Sequence, residues 1–104
     1  MNKVLGMIGL CARAGKLTSG EEACTQKIRH REARLILLDG GASERTRKDF
    51  TATCEHYGTR LWLLPPGELG KAIGRPGRVV AAIADPSFSE AIEKILINTE
   101  KTRG

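Results

Sequence analysis

Three short runs of uninterrupted apolar residues, Leu35 to Leu38, Leu61 to Leu64 and Val79 to Ala84, constrain this chain more than any other feature. Each is too short for a helix and lacks the polar alternation of a half-exposed strand, which is how a strand covered on both faces reads. The segments between the runs must therefore supply helices to both sides of a small sheet.

They carry the pattern to do so. Val4/Leu5, Ile8 and Cys11/Ala12 recur at helical spacing, predicting a helix over residues 2–14 that stops at Gly15. Lys16 to Gly20 reads as a polar bend, with Thr18 or Ser19 as N-cap of a second helix that opens on Glu21-Glu22 and ends near His30. Ser43 is positioned to cap a third helix, whose Phe50, Cys54 and Tyr57 share a face before Gly58 ends it. Pro65-Pro66 stops the second apolar run, and residues 68–73 make a short helix closed by Gly74. Asp85-Pro86-Ser87 begins a last helix with a Phe88, Ala91/Ile92, Ile95/Leu96 stripe. The order predicts an α/β fold, a three-layer α/β/α sandwich with helices on both faces of a small mixed sheet. A chain of 104 residues fits one domain. Its expected extent is residues 1–97, with 98–104 as a flexible tail.

Three widely spaced cysteines, Cys11, Cys24 and Cys54, form no Cys-x-x-Cys pair and suit neither a disulfide framework nor a zinc site. They read as reduced core residues, although Lys27 near Cys24 hints at an electropositive thiol. No apolar run is long enough to cross a bilayer and the start lacks a secretory pattern, so the expectation is a cytoplasmic chain with no membrane partner.

Seventeen basic against twelve acidic residues give a net charge of +5. The surplus is uneven: residues 1–34 carry +4, residues 35–58 carry −1 and residues 59–104 carry +2. A basic face of this kind suits a phosphate-bearing partner. Only Phe50, Tyr57, Trp62 and Phe88 are aromatic, and none alternates with basic residues, which disfavours stacking on unpaired bases.

Catalytic constellations do not emerge. His30 and His56 sit near helix ends, and Glu21-Glu22, adjacent on a helix, point about 100° apart and make a poor carboxylate dyad. Gly40-Gly41-Ala42-Ser43 follows a strand and precedes a helix, as a phosphate cradle would, but lacks both phosphate-loop spacings, and Asp39 would repel an anion. Two loops carry more. Lys16, Thr18 and Gly20, with Glu22, Gln26 and Lys27 beyond them, combine charges, a hydroxyl and an amide; Arg75 and Arg78 flank a Pro-Gly turn. If both loops share one end of the sandwich, they form a concave basic edge suited to a bent RNA duplex.

The run Leu69-Gly70-Lys71-Ala72-Ile73-Gly74 with the following apolar strand resembles the signature of the ribosomal L-seven-Ae / L-thirty-e family. Leu10 to Leu17 with Ser19-Gly20-Glu21-Glu22 resembles a bacterial branch of it, and the likeness spans about residues 3–97. The resemblance implies an L-thirty-e-like fold and a non-enzymatic RNA-binding protein without cofactor or metal. It also implies structured RNA, kink-turns included, as partner, through the Gly20 loop and helix and the Arg75 to Arg78 loop. Where the family's kink-turn binders place Asn-Glu and then Lys, this chain has Glu22-Ala23, and the lysine has moved to Lys27 or is replaced by Gln26. An ionised Glu only accepts hydrogen bonds, whereas Asn both donates and accepts. Weaker or differently selective binding to structured RNA is the resulting expectation. The contact set is Lys16, Thr18, Gly20, Glu22, Gln26, Lys27, Arg75 and Arg78, on a monomer attached to ribosomal or other RNA. The rival readings are an adaptor docking on a ribosome-associated partner such as a ribosomal protein, and a small nucleotide-dependent enzyme built on Gly40-Gly41.

Overall fold

In the computed structural model, which describes residues 2–103 and the side chains of residues 2–100, five helices enclose four strands. The helices are α1 (Asn2–Arg13), α2 (Glu21–Arg29), α3 (Glu44–Tyr57), α4 (Glu68–Ile73) and α5 (Pro86–Arg103). The strands are β1 (Leu17–Ser19), β2 (Leu35–Asp39), β3 (Arg60–Leu64) and β4 (Val80–Ile83). The sheet order is β1-β4-β2-β3, with β2 and β3 parallel and β4 antiparallel to both β1 and β2.

The apolar runs of β2 and β4 are buried throughout because both faces of the sheet are covered there. Side chains alternate across a strand, so Leu35, Leu37, Ala81 and Ile83 face one core with Val4, Ile8 and Cys11 of α1, Leu69 of α4, and Ile92 and Leu96 of α5. Ile36, Leu38, Val80 and Ala82 face a second core with Cys24 and Ile28 of α2 and Phe50 and Cys54 of α3. This is the three-layer sandwich that the order of elements predicts.

Three local readings need correction. The stretch read as a polar bend contains β1, whose Leu17, Thr18 and Ser19 pair with Ile83, Ala82 and Ala81. A three-residue strand is too short to show periodicity, and only its neighbour β4 makes it a strand. The N-cap of α2 is Gly20, with no side-chain cap bond, rather than Thr18 or Ser19, which β1 consumes. Finally, β3, expected as a strand covered on both faces, is an edge strand whose Leu61 and Trp62 are half-buried and whose Leu63 is 47% exposed, because no strand pairs with its outer side. Helix α5 runs to Arg103. Of the expected tail, Gly104 lies outside the described residues. The caps at Ser43, which accepts from the Thr46 amide, and at the left-handed Gly58 and Gly74 are where the sequence puts them.

Candidate nucleic-acid interface

The two candidate loops meet at one end of the sheet. Because β1 runs antiparallel to β4, the exit of the first strand lies beside the entrance of the second, and the Gly20 amide donates to the Val80 carbonyl at 3.1 Å. Gly20 has φ 102° and ψ 146°, a backbone region that side chains disfavour. A Cβ there would also collide with the guanidinium of Arg78. The arginine therefore lies across the glycine, and one loop covers the other.

The 74–79 loop is held from behind by α4. Arg75 donates its amide to the Gly70 carbonyl at 2.8 Å, and Arg78 donates to the Arg75 carbonyl at 3.2 Å. A Cβ on Gly70 would stand 2.8 Å from the Arg75 carbonyl oxygen, so the loop can fold back on the helix only over a glycine. The helix itself is anchored at its start by Asp39, 2% exposed, whose carboxylate accepts from the amides of Gly41 (2.8 Å), Gly67 (2.8 Å) and Leu69 (3.0 Å). Burial acts to raise the Asp39 pKa, but the amides of Gly67, Leu69, Gly41 and Glu68 outweigh it and hold the carboxyl below its ordinary 3.8.

That arrangement also disposes of the phosphate cradle. The Gly40 amide goes to the Leu64 carbonyl, the Gly41 amide to Asp39 and the Ala42 amide to the Asp39 carbonyl, which leaves none of the three for an anion. Among the described residues, no group of three His, Cys, Asp or Glu could hold a metal ion, and no helix is long and apolar enough to cross a membrane.

Of the eight contact residues expected from the sequence, Gly20, Glu22, Gln26 and Arg78 line one cleft at the start of α2, together with Ser19, Glu21 and Ala23. Glu21 is already engaged, accepting from the Thr46 hydroxyl at 3.2 Å. Arg75 borders the adjoining hollow, which shares Ser19 with the cleft. Lys16, Thr18 and Lys27 are not brought there. They line a separate hollow with Asp85 toward the other end of β1, and the Lys27 ammonium stands 3.7 Å from Glu32. Arg13, which sequence reasoning counted only as charge, does reach the rim, beside Ser19 and Arg75. Its place at the end of a helix, next to the glycine that turns the chain, was the available signal.

The cations at the rim are free to meet an anion. Among the described residues, Arg13, Arg75 and Arg78 enter no salt bridge, and all three are exposed. Beneath the cleft, burial pushes the Cys24 thiol up to about 12, with Arg78 pulling weakly the other way and Cys54 adding to the rise. Cys24 is thus an inert packing residue, and the Lys27 hint of a reactive thiol falls away.

Comparison with known proteins agrees with the architecture. The model of the ribosomal protein L7Ae/L30e/S12e/Gadd45 family matches residues 2–93. A protein of Bacillus subtilis (strain 168) named "RNA-binding protein YlxQ" is 35% identical over 91 residues, 86% of this chain and 91% of the relative. One of the same name from Enterococcus faecium is 33% identical over 95 residues, 90% of this chain and 91% of the relative. A solved structure of a protein of unknown function from Bacillus halodurans C has a TM-score of 0.85 at 30% identity, covering 90% of this chain and 96% of that one. The Giardia lamblia 15.5kD RNA binding protein shares the fold, with a TM-score of 0.78 at 17% identity over 96% of this chain and 87% of that one. The Gly70 to Gly74 signature thus has a structural cause in the loop it lets fold back, and the match runs through every strand: the chain belongs to the ribosomal protein L7Ae/L30e/S12e/Gadd45 family.

Proposed function

We propose that this protein is a non-enzymatic binder of structured RNA, kinked duplexes included, and that it grips its target with the rim where the Gly20 turn meets the 74–79 loop. The observation that carries this reading is the unpaired Arg78 guanidinium lying across Gly20, with Glu22 and Gln26 on the same cleft. Guanidinium donates to phosphates and base carbonyls, Gln26 donates and accepts, and Glu22 accepts from amino groups, so the cleft offers all that a splayed base edge requires. The names of the bacterial relatives support the same class of partner. Glu22 stands where an amide would bind more permissively, and it favours bases that present donors. On this reading the protein acts as a single copy without a cofactor, on ribosomal or translation-associated RNA in the cytoplasm.

Filter binding with a kink-turn hairpin and an uninterrupted duplex of equal length tests this. The expected result is preference for the kinked RNA, with Arg78→Ala weakening it ~10-fold and reducing the salt slope by about one unit. Cys54→Ala, in the core, should lower stability and leave the slope unchanged. Equal retention by the wild type and Arg78→Ala overturns the reading. So does negligible affinity for naked RNA beside a nuclease-resistant protein complex, which would point to an adaptor.

A further inference from the structure

Three hollows that border β1 differ in their balance of charge. The α2 cleft sets Arg78 among Glu21 and Glu22. The Thr18 hollow sets Lys16 and Lys27 against Asp85. The third, about 330 Å3 between α1 and α4, is lined by Ala12, Arg13, Leu17, Ser19, Ile73 and Arg75, with no carboxylate.

Its construction is visible residue by residue. Leu17 and Ser19 belong to this side because their partners Ile83 and Ala81 face the core of α1, α4 and α5. A Cβ on Gly9 would come within 3.0 Å of the Ala72 carbonyl oxygen and 3.3 Å of the Arg13 Nη1, so α1 and α4 cross closely and Arg13 folds back over the crossing. The Arg75 backbone is fixed by its bond to Gly70. Two arginines without acidic partners thus line one hollow together with Ser19.

We propose that the Arg13–Arg75 hollow is a phosphodiester site for the RNA backbone, separate from the cleft in which Glu22, Gln26 and Arg78 meet base edges. The inference rests on the RNA reading above and divides its labour. A phosphate near Glu22 would be repelled, whereas guanidinium pairs bind phosphate oxygens in a fork geometry and gain from the lack of a competing carboxylate. The end of β1 then stands between the two contacts, with base edges on the α2 side and a backbone strand on the α1–α4 side.

The test is a salt series of filter binding with the kink-turn hairpin, using wild type, Arg13→Gln, Arg13→Lys and Arg78→Ala, each checked by thermal melting. Arg13→Gln should lower the salt slope by about one unit and weaken binding ~5-fold at low salt, with an unchanged melting temperature because its side chain is exposed and unpaired. Arg13→Lys should recover most of the slope. If Arg78→Ala weakens binding while Arg13→Gln retains affinity and slope, the hollow is not a phosphate site and the RNA reading stands. A loss in Arg13→Gln that is the same at every salt concentration overturns the site as well. If neither variant differs from wild type, both the site and the RNA reading fall.

Discussion

Asp39 is a buried carboxylate with three amide donors, and its role differs from the one its neighbours suggest. Beside Gly40-Gly41 it reads as a group that repels anions; in the fold it joins the end of β2 to the start of α4. Oδ2 accepts from Gly41 and Gly67 and Oδ1 from the buried Leu69 amide, so Asp39→Asn, with one oxygen in place of two, must leave at least one of these amides without its acceptor and should cost about 2 kcal/mol in urea unfolding. The pH dependence has a definite sign. With its folded pKa below the unfolded value, Asp39 contributes its full stability above pH 3.8 and loses it as pH falls through the folded value. The gap in urea midpoint between wild type and Asp39→Asn should therefore be constant near neutrality and close only in acid. A gap independent of pH down to full protonation would show that ionisation plays no part.

At the scale of elements, α4 and its return loop are the device that presents the rim. Leu69 of this short helix sits in the core, Gly70 receives the loop, and Gly74 ends the helix with φ 71°. Adding one methyl group at Gly70 meets backbone rather than a movable side chain, so Gly70→Ala should cost about 1–3 kcal/mol. The same displacement moves Arg75 and Arg78, and RNA affinity should fall by more than the loss of folded protein explains. Thermal melting and filter binding on one preparation separate the two effects; unaltered affinity would mean that the loop position does not matter. On the opposite edge, Glu93 of α5 accepts from Arg60 at 2.6 Å and from the Trp62 indole at 2.9 Å, fixing the helix against β3 far from the rim.

For the molecule as a whole, the two cores are built around the one sheet, and the thiols report on both. Cys11 lies in the core of α1, α4 and α5, while Cys24 and Cys54 lie in that of α2 and α3. Burial is the main cause that pushes them up to about 11, 12 and 11 respectively. Native protein at pH 8 should resist a thiol reagent, and all three cysteines should become reactive together at the urea midpoint, since cores sharing a sheet unfold as one unit. Labelling of Cys24 and Cys54 before Cys11 would show that the α2–α3 layer opens independently.

The layer order was legible because β2, β3 and β4 are apolar on both faces and the helices between them carry stripes at helical spacing. The glycines at 58 and 74 and Ser43 announced their elements, since caps are local chemistry. Strand β1 was not legible: three residues carry no period, and it is a strand only because β4 lies beside it. The sequence by itself determined a covered sheet and a cationic surplus. Tertiary structure alone decided which cations share a rim, drawing Arg13, Arg75 and Arg78 to one end of β1 and leaving Lys16 and Lys27 in another hollow, because strand order joins residues that chain distance separates.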